Sequence, residues 1–284
     1  MKKVLITGAN SQLAQCIKDY APQLDLLHLQ FVDRTTFDLT DFAQMNEFLQ
    51  GTTFDYCINT AAYTKVEDAE SNKELAYAVN AKGVEDLAEL CVTHNITLVQ
   101  VSTDYVFDGE KGQPYLETDL TNPINVYGAS KLAGELAIAE TLAQHYIVRT
   151  SWLYSRYGHN FYRSVRGWAK QGKDLSITTE QTGTPTNAND LAGAILELID
   201  KDPKEYGIYH YSNRGEATWF DFAQAILSET GQIAEVKLVK TDHYPTFAAR
   251  PAYSVLSCEK YNALGHISTR SWKEGLKQLI NRKA

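Results

Sequence analysis

Apolar residues run along this chain in two rhythms. Unbroken runs rich in β-branched residues occur at 3–7, 26–32, 56–62, 97–101 and 146–152. Between them lie stretches in which apolar side chains recur every three or four positions. Unbroken runs suit strands covered on both faces, and the longer spacing suits helices with one face against a core. Their alternation predicts an α/β chain built on a doubly wound parallel sheet. Helix punctuation agrees. The first run ends at Gly8 and passes into helix-compatible residues to about Tyr20, and Thr40 or Asp41 caps a second helix to about Gln50. Ser71-Asn72-Lys73-Glu74 has the form of a capping box for a long helix with Leu75, Val79, Val84, Leu87 and Leu90 on its apolar side. Asn80 is a polar residue within that helix, with a solvated side chain as its plain reading. Asn189-Asp190 leads into a helix to about Ile199, Thr218-Trp219-Phe220-Asp221 caps one that Gly231 closes, and Ser271-Trp272-Lys273-Glu274 caps the last. The segment 181–186 reads as a turn-rich loop, and 242–251 as a loop with one cation.

Composition narrows the field. The 284 residues carry a net charge of -8 and are 44% apolar, ordinary for a globular chain of one large domain or two moderate ones. No cluster of Lys and Arg stands out, which argues against nucleic acid or an anionic membrane as the main partner. The opening apolar run is too short for a signal-peptide core or a membrane span, and a cytoplasmic location is expected. Cys16, Cys57, Cys91 and Cys258 are scattered, so neither a disulfide framework nor a metal site is expected.

Candidate chemistry gathers at the ends of the apolar runs. Gly8-Ala9-Asn10-Ser11-Gln12-Leu13-Ala14 joins a strand to a helix start, where backbone N–H groups and the helix dipole hold a pyrophosphate. Three glycines usually mark such a turn, and Ser11 and Ala14 replace two of them. Asp33 and Arg34 follow the second run. A carboxylate there accepts from a ribose 2′-hydroxyl and a guanidinium pairs with a 2′-phosphate, so NADH and NADPH both stand open. Asp38 and Leu39 fall where an adenine ring would lie in such a fold. Ala61 and Ala62 end the third run on small residues that let a cofactor approach the backbone. Ser102 and Thr103 bring hydroxyls to the C-terminal end of a strand, the side on which these sheets bind ligands. Tyr127 and Lys131, four apart in a segment that reads as helix, share one face. An ammonium beside a phenol lowers the phenol's pKa from about 10 and lets it pass a proton near neutrality. Taken singly, the turn is also a plain strand-to-helix link and the pair a ring packed on a lysine stem.

Together these residues, with the blocks 59–70, 101–109, 125–135, 149–154, 183–186 and 249–251, resemble the extended short-chain dehydrogenase/reductase family. The resemblance implies a Rossmann-type NAD(P)-binding unit over residues 1–151, to which 184–212 return, and a smaller mixed α/β substrate unit over 152–284. It implies reduction of the C4 ketone of a dTDP-linked 4-keto-6-deoxy sugar with NADPH, or with NADH. Thr103, Tyr127 and Lys131 are then the catalytic set. Gly8, Asn10, Gln12, Leu13, Asp33, Arg34, Asp38, Leu39, Ala61, Ala62 and Tyr63 hold the cofactor together with Tyr127 and Lys131. Ser102, Asp104, Tyr105, Trp152 and Arg250 face the sugar nucleotide beside Thr103 and Tyr127. Trp152 as a core residue and Arg250 as a surface ion-pair partner are the plain alternatives. Magnesium enters through some relatives, with no ligands assigned here, and the chain is expected as a monomer or homodimer. The missing glycines favour a second reading, a non-catalytic regulatory subunit of the same fold. A third is a reductase of another nucleotide-linked 4-keto sugar.

Overall fold

The computed structural model of the chain describes residues 1–21, 26–242, 244–265 and 269–282. His243, in the loop of 242–251, lies outside the described residues. The first half alternates strictly: β1 (Lys2–Thr7), α1 (Gln12–Tyr20), β2 (Leu27–Val32), α2 (Phe42–Gln50) and β3 (Tyr56–Asn59). The chain continues with α3 (Val66–Ser71), α4 (Lys73–Tyr77), α5 (Gly83–His94), β4 (Thr97–Thr103), α6 (Val126–Thr141) and β5 (His145–Thr150).

Later elements are shorter. They are β6 (Leu153–Tyr154), α7 (Phe161–Lys170), β7 (Leu175–Thr178), β8 (Thr182–Gly183), β9 (Thr186–Asn187), α8 (Ala188–Lys201) and β10 (Gly207–His210). Then come β11 (Ala217–Thr218), α9 (Trp219–Glu229), β12 (Leu238–Thr241), α10 (Glu259–Ala263) and α11 (Trp272–Asn281). No helix among the described residues is long and apolar enough to cross a membrane.

Six strands form one parallel sheet in the order β10-β5-β4-β3-β1-β2. Alternate residues of each strand face opposite sides. Val4, Ile6, Ile58, Val99 and Val148 pack with α1 and α8 on one side, while Leu5, Cys57, Leu98 and Ile147 pack with α2, α5 and α6 on the other. A third cluster, with Tyr154, Val165, Phe222, Ile226, Trp272 and Leu276, holds α7, α9 and α11 together away from the sheet. β10 joins the sheet late and was not legible as a run, because only four residues of it pair and only with β5. The segment 181–186, expected as loop, instead carries β8 and β9, which pair with β11 and β6.

The helix expected from a capping box at 71–74 forms differently. Asn72, not Ser71, precedes α4, and no side chain caps it; the Asn72 amide instead donates to the Asp68 carbonyl at 2.9 Å. A π turn over Ala78–Lys82 then links α4 to α5, and that extra residue per turn rotates the face. Leu75 is consequently 43% exposed, whereas Val84, Leu87 and Leu90 are buried as expected.

Candidate active site

Strand order reverses between β1 and β3, and there the C-terminal ends of the strands open a cleft of about 1020 Å³. Gly8 begins it. Its φ of 66° is left-handed, and a Cβ there would come within 2.9 Å of the Ala61 backbone, so only glycine fits. Ser11, with φ −67°, needs no glycine. Its hydroxyl caps α1 by accepting from Ala14 N at 3.0 Å and lies 2.8 Å from Thr60 Oγ1, so the side chain is taken up by the scaffold. Ala14 is fully buried where α1 meets the core. The two replaced glycines therefore leave the turn intact, and the free backbone N–H groups at a helix start suit a pyrophosphate.

Gly8, Asn10, Gln12, Leu13, Ala61 and Ala62 all line this cleft. So do Asp33 and Arg34 at the end of β2. Asp33 accepts from Thr35 Oγ1 at 2.6 Å and Thr35 N at 3.0 Å, bonds that hold it below the usual carboxylate range. Arg34 is bonded through Nε to Asp38 at 2.8 Å and is otherwise solvent-exposed. Asp38, Leu39 and Tyr63 are not among the lining residues. Asp38 is occupied by Arg34 and Thr40, and Leu39 is a core side chain against α5. The Tyr63 backbone is clamped by Asn80, whose Oδ1 accepts from Tyr63 N at 2.8 Å and whose Nδ2 donates to Tyr63 O at 2.9 Å. Asn80 is thus 1% exposed rather than solvated, and it fixes the wall of the cleft.

On the opposite wall β4 and α6 bring Thr103, Tyr127 and Lys131 together. Asn125 caps α6 by accepting from Gly128 N at 2.7 Å. Gly128 lets the helix start press against the Tyr105 carbonyl, and this close approach sets the depth of Tyr127. Tyr105 meets Tyr127 edge-on at 5.9 Å. The expected activation of the phenol differs from what the geometry gives. Lys131 Nζ donates to the Val101 carbonyl at 2.7 Å, and burial pushes Tyr127 up to about 12, with the Thr103 hydroxyl pulling down and Asp104 pushing up. The same burial brings Lys131 down to about 8 against the opposing charge of Glu135. Shared spacing on a helix puts two side chains on one face, but the ammonium turns to the Val101 carbonyl instead.

Asp104 and Tyr105 also line the cleft. Burial raises the Asp104 carboxyl to about 7 despite the neighbouring Ser254 and Thr103 hydroxyls. Ser102 lines it too, yet its hydroxyl is committed to Glu135. Trp152 adopts φ 44°, stacks on Trp219 at 3.6 Å, and has Gly183 pressed against its ring. It is half-buried on the cleft wall rather than in the core. Arg250 does not line the main cleft. It lines a neighbouring aromatic pocket of about 430 Å³ with Trp168, Ile177 and Tyr244, and Phe161 and Trp219 border both spaces. Arg250 Nη1 sits 2.6 Å from Glu67 Oε1, while Glu67 Oε2 accepts from Phe247 N and Ala248 N at 2.8 and 3.0 Å. Glu67, in the block 59–70, and Trp219, in the cap of 218–221, carried no site role in the sequence because their importance comes from long-range contacts. Among the described residues no group of three His, Cys, Asp or Glu is arranged to hold a metal ion.

Comparison with known proteins agrees with this geometry. The family described as RmlD substrate binding domain matches residues 1–284. A dTDP-4-dehydrorhamnose reductase of Sinorhizobium fredii is 38% identical, over 98% of this chain and 96% of its own. One from Aggregatibacter actinomycetemcomitans is 35% identical, over 98% of both chains. The crystal structure of dTDP-4-dehydrorhamnose reductase from Bacillus anthracis str. Ames in complex with NADP superposes with a TM-score of 0.93, at 37% identity and over 98% of both chains. With its doubly wound sheet, its glycine turn and a full-length match, the chain belongs to the RmlD substrate binding domain family.

Proposed function

We propose that this chain reduces the C4 keto group of dTDP-4-dehydro-6-deoxy-L-mannose to give dTDP-L-rhamnose, with NADPH as reductant. The observation that carries this reading is the meeting of Thr103, Tyr127 and Lys131 on one wall of a cleft that starts at the Gly8 turn. The groups of the cleft fit a dinucleotide: the turn at Gly8 takes the pyrophosphate, and the small Ala61 and Ala62 leave room beside it. When bound, the reduced nicotinamide supplies the hydride.

Everything else is done by the chain's own groups. A ketone that gains a hydride becomes an alkoxide and needs a proton. Tyr127, raised to about 12, is fully protonated at neutral pH and so is ready as the acid. The Thr103 hydroxyl donates to the same oxygen as charge develops on it. Lys131 offsets the negative charge that the phenol takes on as its proton leaves. One of its three N–H donors is used by Val101, which leaves two for ribose hydroxyls. Trp152 and Tyr105 form the faces against which the sugar lies, and Arg250 with its aromatic pocket takes the nucleoside diphosphate.

Preference for NADPH rests on occupancy. Asp33 is taken up by Thr35, whereas the outer nitrogens of Arg34 face solvent at the end of β2. The missing glycines, which favoured a non-catalytic subunit, carry no weight once Ser11 is a helix cap. The unit over residues 1–151, joined by α8 and β10, is the proposed cofactor domain, and the remainder holds the sugar nucleotide. Its proposed place of action is the cytoplasm.

Incubation of the purified protein with the dTDP-linked 4-keto sugar and NADPH tests the reading by loss of nicotinamide absorbance. Oxidation without the sugar, or none with it, refutes it. Arg34→Ala is expected to raise KM for NADPH about tenfold and to leave KM for NADH within twofold. Equal effects on both would move the 2′-phosphate contact elsewhere.

A further inference from the structure

Glu135 lies one helical turn beyond Lys131 on α6, and its side chain is 2% exposed. A buried carboxylate is costly unless it is paired and hydrogen-bonded. Its partners come from two neighbouring strands. Arg149 on β5 forks onto it, with Nε 3.0 and 3.1 Å from the two oxygens and Nη2 2.6 Å from Oε2. Ser102 on β4 donates its hydroxyl to Oε1. Ser102 and Arg149 are register partners, and so are Arg149 and His210 on β10. One polar row therefore crosses three strands beneath α6.

His210 ends the row. Its Nδ1 is 3.1 Å from the Tyr115 carbonyl and so carries the proton, which leaves the Nε2 lone pair toward Arg149 Nη1 at 3.5 Å. Burial, with Arg149 beside it, pushes His210 down to about 3, so it is neutral throughout. Phe107 covers the guanidinium, its ring centroid 5.2 Å away. The anion thus stands between two cations, Arg149 and Lys131.

The reduction as derived above uses neither Glu135 nor Arg149. Apolar side chains of similar size would fill the same space without the desolvation cost. What packing alone would not do is act on a charge. Lys131 is 4% exposed, and Glu135 is the charge that opposes the loss of its proton. Glu135 is the charged group that acts on Lys131, and Tyr127 shares its helix face; the short turn carrying Asp104 and Tyr105, the π turn carrying Asn80 and strand β5 carrying Arg149 pack against α6 around them. Asp104 acts on Tyr127 rather than on the amine.

We propose that Glu135 is a positioning residue: pinned by the Arg149 fork and the Ser102 hydroxyl, it holds a negative charge one turn from Lys131 and keeps that buried amine an ammonium while the site works. The inference rests on the reading of Lys131 as the partner of Tyr127. It assigns to a buried ion pair the task of setting a protonation state.

The test uses the ligand-free protein first. The ε-carbon resonances of labelled lysines are followed against pH, with Lys131→Met identifying the Lys131 signal. In Glu135→Gln the midpoint of Lys131 is expected to fall by about one pH unit, within the range that an opposite charge nearby produces. The alkaline limb of kcat/KM is expected to move down with it. A midpoint that stays where it is in the folded variant overturns the proposal. Should the unpaired Arg149 keep Glu135→Gln from folding, the double variant Glu135→Gln/Arg149→Gln removes both charges. There too a downward shift supports the role and an unchanged midpoint overturns it. Lys131→Met separates the two levels. Normal turnover in it sinks the reading of the site, whereas loss of turnover beside an unmoved midpoint in Glu135→Gln sinks only the role of Glu135.

Discussion

Trp152 breaks the backbone rule that its neighbours keep. A tryptophan at φ 44° is strained, and such strain persists only where surrounding contacts impose it. Here the stacked Trp219 ring and the Gly183 backbone impose it, and the ring is thereby held flat against the cleft. At the same scale Tyr127 is the proposed acid, and Tyr127→Phe removes that single proton. Turnover is expected to drop about a hundredfold or more while NADPH affinity stays within twofold, read by steady-state kinetics and a binding titration. Asp104 makes a prediction about stability. Its carboxyl is raised from 3.8 to about 7 by burial, so between those values the folded chain keeps a proton that the unfolded chain has lost. That contribution is present at low pH and is lost as pH rises through 7. Asp104→Asn is therefore expected to raise Tm at pH 8 by about 2–4 °C and by less at pH 5. A Tm difference independent of pH would show that the carboxyl does not titrate as described.

Among the elements, α6 is the one whose placement matters most, since it carries Tyr127, Lys131 and Glu135. Three small residues let it sit close. Gly128 meets the Tyr105 carbonyl, Gly134 meets the Asn80 carbonyl of the π turn, and Ser130 takes a hydrogen bond from Asn80 at 3.0 Å. Gly134→Ala gains helix propensity of at most about 1 kcal/mol but drives a Cβ into that carbonyl. A net loss of about 1–3 kcal/mol in urea unfolding is expected, as for other overpacked contacts. A stabilised variant would mean that the π turn yields freely. The π turn itself was illegible in the sequence, where residues 71–74 read as a capping box. Periodicity reports which residues prefer a buried face, not where an extra residue in the turn rotates that face.

For the whole molecule, the decisive contacts join distant parts of the chain. Glu67 in α3 accepts from Phe247 N and Ala248 N and pairs with Arg250, while Asn125 at the head of α6 donates to the Ala249 carbonyl at 2.8 Å. The segment 247–250 is thus tied to the head of α6 and to α3 at once. Loss of the guanidinium in Arg250→Ala is expected to raise KM for the sugar nucleotide about tenfold with little change in kcat. An unchanged KM would place the diphosphate contact elsewhere. The fold of the first half was legible because its strands, apart from the half-buried edge strand β2, are buried on both faces and each helix on one. In the second half the helix-start signals at 189–190, 218–221 and 271–274 announced α8, α9 and α11, but the strands were not legible, since two- to four-residue strands leave no periodic trace.

The sequence by itself determined the parallel α/β order, the glycine turn at Gly8, and the candidates Thr103, Tyr127 and Lys131, because each depends on local spacing and residue type. Tertiary structure alone decided three further matters: that Lys131 bonds to Val101 and is set beside a buried Glu135, that Ser102 serves Glu135 instead of facing the cleft freely, and that Arg250 is held by Glu67. Those outcomes turn on which polar atoms the packing brings within reach of one another. That depends on chain segments far apart in sequence, and no local pattern encodes it.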